Sequence, residues 1–252
     1  MAAFRSILPR INKDVDIILL QNGIFKVYDE LSSLLVNNNI NFNIVCASTT
    51  HGVTRVSKSE IYHAGFGTTV IGDLKTSSLA TFPNSSIKLE PSVAADATET
   101  RSSQLVQHLR AAWSPLDVQV VHGDLLRKRL LLKIIVNAAI NPIAAVLNQK
   151  NGALASPHAV ALIRSCCKEF VVVFPEVGPL EDAVQEVMKV VHRTADNYNS
   201  MCTDLRSGRG VTEIDYITGY VLDAAAKQGI DVPTHRALYG LVKVKEELAS
   251  AP

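Results

Sequence analysis

Asp16-Ile-Ile-Leu-Leu-Gln21, followed at once by Asn22-Gly23, decides how the first half of the chain is read. A short, branched, nearly continuous apolar run suits a strand buried on both faces, as in a parallel sheet. Asn22-Gly23 ends it, in the loop beyond the carboxyl end, where open α/β sheets place their ligands. Outward from this stretch, Tyr28 to Val36 reads as a helix and Asn43 to Ser48 as the next strand. Ser59 to Asp73 is rich in β-formers, and its glycines allow bends or close backbone approach. Lys75 to Ser103, rich in Ser, Thr, Ala and Pro, reads mostly as a long surface loop. A helix over Gln104 to Trp113 and a strand over Val118 to Val121 follow. From Asp124 onward, segments of helical period run at about 124–148, 157–174, 179–206, 213–228 and 233–249. The expected fold is therefore α/β followed by all-α, divided near His122 into parts 1–122 and 123–252. No internal repeat is visible.

The 252 residues are 47% hydrophobic and 19% charged, an ordinary globular composition with material for a sizeable core. A net charge of +1 and 6% aromatics give no reason to expect nucleic acid as a partner. Cys46, Cys166, Cys167 and Cys202 form no C-x-x-C pair, which argues against a disulfide framework or zinc site and for a reducing compartment. The histidines show no paired-ligand spacing, so no metal is expected, and His63 and His122 are read as structural. No apolar run is expected to reach membrane-spanning length, so no membrane partner is expected. The opening Met1 to Lys13 is basic and free of acids; it reads as a surface helix leading into a strand, with a mitochondrial presequence as the alternative to a cytoplasmic protein.

Within Leu131-Leu-Lys-Ile-Ile-Val-Asn-Ala-Ala-Ile-Asn-Pro142, Lys133, Asn137 and Asn141 stand four residues apart. On a helix each step of four turns only about 40° beyond a full circle, so the three form one polar stripe. Polar groups among apolar neighbours are either satisfied inside the core or directed at a ligand. An amine flanked by two amides suits a small carbonyl acid. The bland alternatives are a lysine that snorkels to water and amides that cap or crosslink helices. Arg127-Lys128-Arg129 is read as a solvated helix edge.

An ordered set of blocks spans nearly the whole chain: Gln21-Asn22-Gly23; Thr49-Thr50-His51-Gly52; His63-Ala64-Gly65-x-Gly67 through Ile71-Gly72; Lys133-x-x-x-Asn137-x-x-x-Asn141-Pro142; Asn151-Gly152; Ser200-Met201-x-x-Asp204; Gly208-Arg209; Thr212-Glu213-Ile214-Asp215-Tyr216; Gly219; and Gly229-Ile230-x-x-Pro233. In these the chain resembles the ketopantoate reductase (2-dehydropantoate 2-reductase) family. The resemblance implies a Rossmann-like sheet followed by a helical domain of the 6-phosphogluconate dehydrogenase-like type. It implies NADPH-dependent reduction of 2-dehydropantoate to pantoate, on the route to pantothenate and coenzyme A. Lys133 would then be catalytic, giving the proton to the carbonyl oxygen. Asn137, Asn141, Asn151 and Ser200 would hold the substrate. Asn22 would meet both substrate and cofactor, and Val53 and Glu213 would bind the NADP cofactor. The bland readings remain beside these: Asn151 as a helix C-cap, Ser200 bonded to its own helix, and Glu213 as first-turn charge complementing the dipole. Where the family often carries a tryptophan before the lysine block, Leu131 and Leu132 stand here, which reads as a packing change.

The resemblance fails at the start. Family chains open with a strand, a G-x-G-x-x-G turn and a helix, whose backbone amides approach the pyrophosphate. No such segment precedes Asp16, and Gly65-x-Gly67 lacks the third glycine. The expected fold is thus a partial Rossmann-like sheet, with Ile17 to Leu20 at an edge open to a partner. A truncated sequence, a half supplied by another chain and a degenerate relative are the three explanations. The competing functions are a non-catalytic binding or assembly protein and a reductase of another short 2-oxo acid. The long helices are compatible with a homodimer.

Overall fold

The computed structural model describes residues 2–11, 14–74 and 101–249. Two compact units result, Met1–Arg127 and Lys128–Pro252. The first carries α1 (Ala2–Ile7) with a short 3-10 turn (Leu8–Arg10), β1 (Asp14–Leu20), α2 (Ile24–Asn37), β2 (Asn41–Thr49), β3 (Gly52–Arg55), β4 (Ile61–Gly65), β5 (Thr69–Gly72), α3 (Arg101–Ala112), β6 (Val118–Val120) and the opening of α4 (Gly123–Leu147).

The main sheet has the order β1-β2-β5-β6, and β3 and β4 form a separate antiparallel hairpin. β1 pairs parallel with β2, and β5 parallel with β6. The sheet is nevertheless mixed, because β2 and β5 run antiparallel, from Cys46 opposite Gly72 to Thr49 opposite Thr69. The expected parallel pairing is present in β1–β2 and β5–β6, and the β2–β5 pair adds an antiparallel step between them. After β2 the chain turns back through the β3–β4 hairpin rather than through a crossover helix, so β5 returns beside β2 in the opposite sense.

β1 also departs from the expectation of burial on both faces, since its residues alternate between exposed and covered. In-register parallel pairing sets Ile18 beside Val45 and Leu20 beside Ala47 on one face. That face packs on α3 through a cluster of Val45, Ala47, Ile71, Val106 and Leu109. α3 packs on β2, β5 and β6, and Ile18 and Leu20 lie 38% and 48% exposed. On the opposite face α2 packs on β1 and β2. β1 thus lies at the end of the strand order among the described residues.

Gly72 has a physical reason. A Cβ built on it would fall 1.7 Å from the carbonyl oxygen of Val121, so only glycine lets the two backbones approach. The loop expected over Lys75 to Ser103 lies outside the described residues up to position 100, and Arg101–Ser103 belong to α3.

The second unit holds the rest of α4, a 3-10 turn (Asn151–Ala155), α5 (Pro157–Val173), α6 (Leu180–Arg193), α7 (Ser200–Arg206), α8 (Ile214–Gln228) and α9 (Pro233–Ala249). Pro157 and Pro233 occupy first helical positions, and Gly229 closes α8 with φ +67°. The single helix expected over 179–206 is two. α6 stops at Arg193, and Asn199 starts α7 afresh by accepting the Cys202 N–H at 2.9 Å. The intervening Asp196-Asn197-Tyr198-Asn199 favours turns over helix. α4 corrects another expectation, because by length and composition it is long and apolar enough to cross a membrane. Yet 67% of its most apolar window is buried within the protein, as in the core helix of a globular unit.

Candidate functional site

α4 carries Lys133, Asn137 and Asn141 on one continuous helix. Lys133 and Asn137 are half-buried, and Asn141 is only 5% exposed. Pro142 inside the helix offers no N–H to the Ala138 carbonyl one turn back. Among the described residues no protein hydrogen bond holds the amide of Asn137 or Asn141. A nearly buried amide without an internal partner is uncommon, and its donors and acceptor suit a bound polar molecule.

Burial lowers the pKa of Lys133, because the charged ammonium loses water, and the carboxylate of Glu213 opposes that shift. The structure therefore brings these two residues of the helical unit together electrostatically, although 80 positions of sequence separate them. Glu213 is the N-cap residue of α8, is half-buried, and makes no side-chain cap bond to its own helix. Its neighbours are firmly held. The Thr212 backbone N–H and hydroxyl each donate to Glu246 Oε1 at 2.7 Å, and the Ile214 N–H donates to Thr212 Oγ1 at 3.2 Å.

The remaining expected residues have distinct settings. Asn151 is buried and committed within the protein: its amide nitrogen donates to Thr194 Oγ1 at 2.9 Å, and its oxygen accepts from Asn199 at 3.1 Å. Its backbone N–H adds a bond to the Asn197 carbonyl at 3.0 Å. This network ties the Asn151 turn to the α6–α7 connection. Ser200 is the exposed first residue of α7, next to the Asn199 cap.

In the sheet unit, Asn22 is half-buried in the turn between β1 and α2, immediately before Gly23 at φ +65°. The first N–H groups of α2 have no side-chain cap at this point. Val53 is exposed on β3. Sequence reading missed the pair beside it. His51 Nδ1 accepts the Gly67 N–H at 3.1 Å, which fixes the ring proton on Nε2, where it reaches the Leu116 carbonyl at 3.0 Å. His63 Nε2 lies 2.9 Å from His51 Nδ1. Gly67 makes this possible, since a Cβ there would meet the Thr50 backbone at 2.4 Å. His122 accepts the Asp73 N–H at 3.4 Å. Among the described residues no three His, Cys, Asp or Glu side chains are placed to hold a metal.

With this geometry in view, the chain can be set beside known proteins. The family model described as ketopantoate reductase PanE/ApbA matches residues 1–76, and that for its C-terminal part matches residues 124–246. The 2-dehydropantoate 2-reductase of Yersinia pestis is 32% identical over 248 residues, covering 97% of this chain and 70% of that one. The solved structure of a probable 2-dehydropantoate 2-reductase from Bacillus subtilis superposes with TM-score 0.69 at 28% identity, over 97% of this chain and 73% of the other. A D-mandelate dehydrogenase held with NADH and anilino(oxo)acetate shares the fold, with TM-score 0.76 at 20% identity over 100% of this chain and 73% of that one. By class, then, the chain is an oxidoreductase whose mixed sheet precedes an all-helical region. More narrowly, it belongs to the ketopantoate reductase family.

Proposed function

We propose that the protein reduces 2-dehydropantoate to pantoate with NADPH, and that Lys133 is its proton donor. The observation that carries this reading is the half-buried Lys133 ammonium, desolvated yet within electrostatic reach of the Glu213 carboxylate. When bound, the reduced nicotinamide supplies the hydride. As the ketone becomes an alkoxide, negative charge grows on its oxygen, and an ammonium aimed there stabilises the transition state more than the ground state. Desolvation makes Lys133 a readier acid than a surface lysine, and Glu213 keeps it protonated before the reaction. Lysine can give up its proton, which arginine does not do in practice.

Asn137 and Asn141, one and two turns along α4, offer amide groups to the substrate's oxygens and hydroxyl without adding charge. Ser200 supplies a hydroxyl from the start of α7 for the carboxylate. Each unit carries groups of its own that suit the cofactor. The Glu213 carboxylate suits ribose hydroxyls, and the Asn22 amide and the backbone at Val53 suit polar groups of the dinucleotide. Asn151, with its amide spent on Thr194 and Asn199, acts by fixing the turn after α4 rather than by gripping substrate. The test is NADPH oxidation on addition of 2-dehydropantoate, run in parallel with NADH. Lys133→Ala is expected to lower kcat by roughly 100- to 10,000-fold, the range for removing a general acid.

A further inference from the structure

We propose that Thr212 and Glu246 are positioning residues, a clamp that holds Glu213 in place within electrostatic reach of Lys133. The proposal rests on the reading of Lys133 and Glu213 as a working pair, and goes beyond it by saying what keeps the pair together.

A glutamate side chain has three rotatable torsions, so where its carboxylate sits depends first on where its backbone is held. Here the backbone is held on both sides. On one side, Glu246 Oε1 takes both donors of Thr212, the N–H and the hydroxyl, at 2.7 Å each. The same hydroxyl accepts the Ile214 N–H at 3.2 Å, so Thr212 serves the start of α8 as a cap would, and the Glu213 side chain is not used for that purpose. On the other side, Asp215 accepts from Tyr239 at 2.6 Å and from Lys243 at 3.2 Å. Lys243 closes the loop with Glu246 Oε2 at 2.6 Å. Positions 212 and 215 are thereby stapled to α9 through one connected network, and Glu213 lies between them.

The network is costly in isolation. Glu246 is only 5% exposed, and a buried carboxylate is retained against its desolvation only when several donors compensate it. Three donors to it come from Thr212 and Lys243, and two of these belong to the residue directly before Glu213. Sites of this kind need their groups held to within about half an ångström, which residues behind the contacting ones supply. Thr212 and Glu246 fill that place here. Neither is required to touch substrate.

The test reads the Lys133 ammonium itself, in the full chain, by NMR titration of lysines labelled at Cε, with the Lys133 signal assigned by Lys133→Arg. Glu213→Gln removes the opposing charge, and the Lys133 midpoint is expected to fall. Thr212→Val changes no charge and removes the clamping hydroxyl, so a fall in the same direction reports displacement of Glu213. Thr212→Ser keeps the hydroxyl and is expected to titrate as wild type. Glu246→Gln is expected to lower the midpoint and, where the protein turns over, to reduce kcat/KM in step with Thr212→Val. If Glu213→Gln lowers the midpoint while Thr212→Val and Glu246→Gln leave it in place, the clamp is refuted and the pair stands. If Thr212→Ser falls as far as Thr212→Val, the clamp is likewise refuted. If Glu213→Gln leaves the midpoint unmoved, the pair itself is refuted, and the clamp with it. Far-ultraviolet circular dichroism accompanies each variant, and if Thr212→Val does not fold, Glu246→Gln and Thr212→Ser decide the matter.

Discussion

Replacing Glu169 with glutamine is expected to cost the helical unit about 3 kcal/mol at neutral pH, and the loss is expected to disappear in acid. Glu169, on α5, receives the first turn of α9: the Thr234 N–H reaches Oε1 at 2.7 Å, the His235 N–H reaches Oε2 at 3.0 Å, and His235 Nδ1 lies 2.9 Å from Oε2. Burial pushes the carboxyl pKa up, but these bonds from His235 and Thr234 outweigh it and hold the pKa at about 2. Against an ordinary value of 4.5, a displacement of roughly 2.5 units at 1.36 kcal/mol each gives about 3 kcal/mol. The side chain is 12% exposed, so solvent screens this little. Glutamine offers one oxygen to three donors and turns an NH2 toward one of them. The sign follows from the depressed pKa. The stabilisation is fully present above about pH 4.5 and is lost as the pH falls toward 2. Urea unfolding at pH 7 is the assay, and with a slope near 3 kcal/mol/M the midpoint is expected to drop by about 1 M. A loss under 1 kcal/mol at pH 7, or one that persists unchanged at pH 2, would refute the reasoning. Because α9 also carries Tyr239, Lys243 and Glu246, a loosened N-terminus bears on the surroundings of Glu213 as well.

Gly72→Ala forces a Cβ into the Val121 carbonyl and is expected to cost about 3 kcal/mol in thermal or urea unfolding; a change within about 0.5 kcal/mol would contradict the close approach. Asn151→Ala strips two buried side-chain bonds and is expected to lose about 2 kcal/mol of stability; an unchanged stability with a raised KM would instead make Asn151 a substrate ligand. The rate of ketone reduction is expected to fall on the alkaline side with a midpoint below that of an ordinary lysine, since burial lowers the Lys133 pKa and the proton must be present to be given. A flat profile through that range would contradict the role of the amine.

Much of the fold was legible because its signals are local. The Asp16 to Gln21 run, the helical period after Asp124, and the Pro157, Gly229 and Pro233 boundaries each sit where the chain's own propensities place them. The antiparallel turn of β5 was not legible, because strand direction depends on how the chain returns through the β3–β4 hairpin. Nor was the break between α6 and α7 read, although Asp196 to Asn199 favours turns; the helical pattern on either side masked it, and the cap at Asn199 decided the outcome. The four-residue spacing of Lys133, Asn137 and Asn141 predicted that they share one helix, and α4 carries all three. The internal partners of Asn151 were not legible, since Thr194 and Asn199 come from distant positions. Glu246 left no local sign. A glutamate in an amphipathic terminal helix looks solvated until its partner, 34 residues earlier, is known.

The measurement closest to the central claim is the initial rate of NADPH oxidation with 2-dehydropantoate for the wild-type chain and for Lys133→Ala. Turnover by the wild type, with kcat at least roughly 100-fold lower in the variant at unchanged thermal stability, is the expected result. Reduction that proceeds within tenfold of wild type without the Lys133 amine would contradict it.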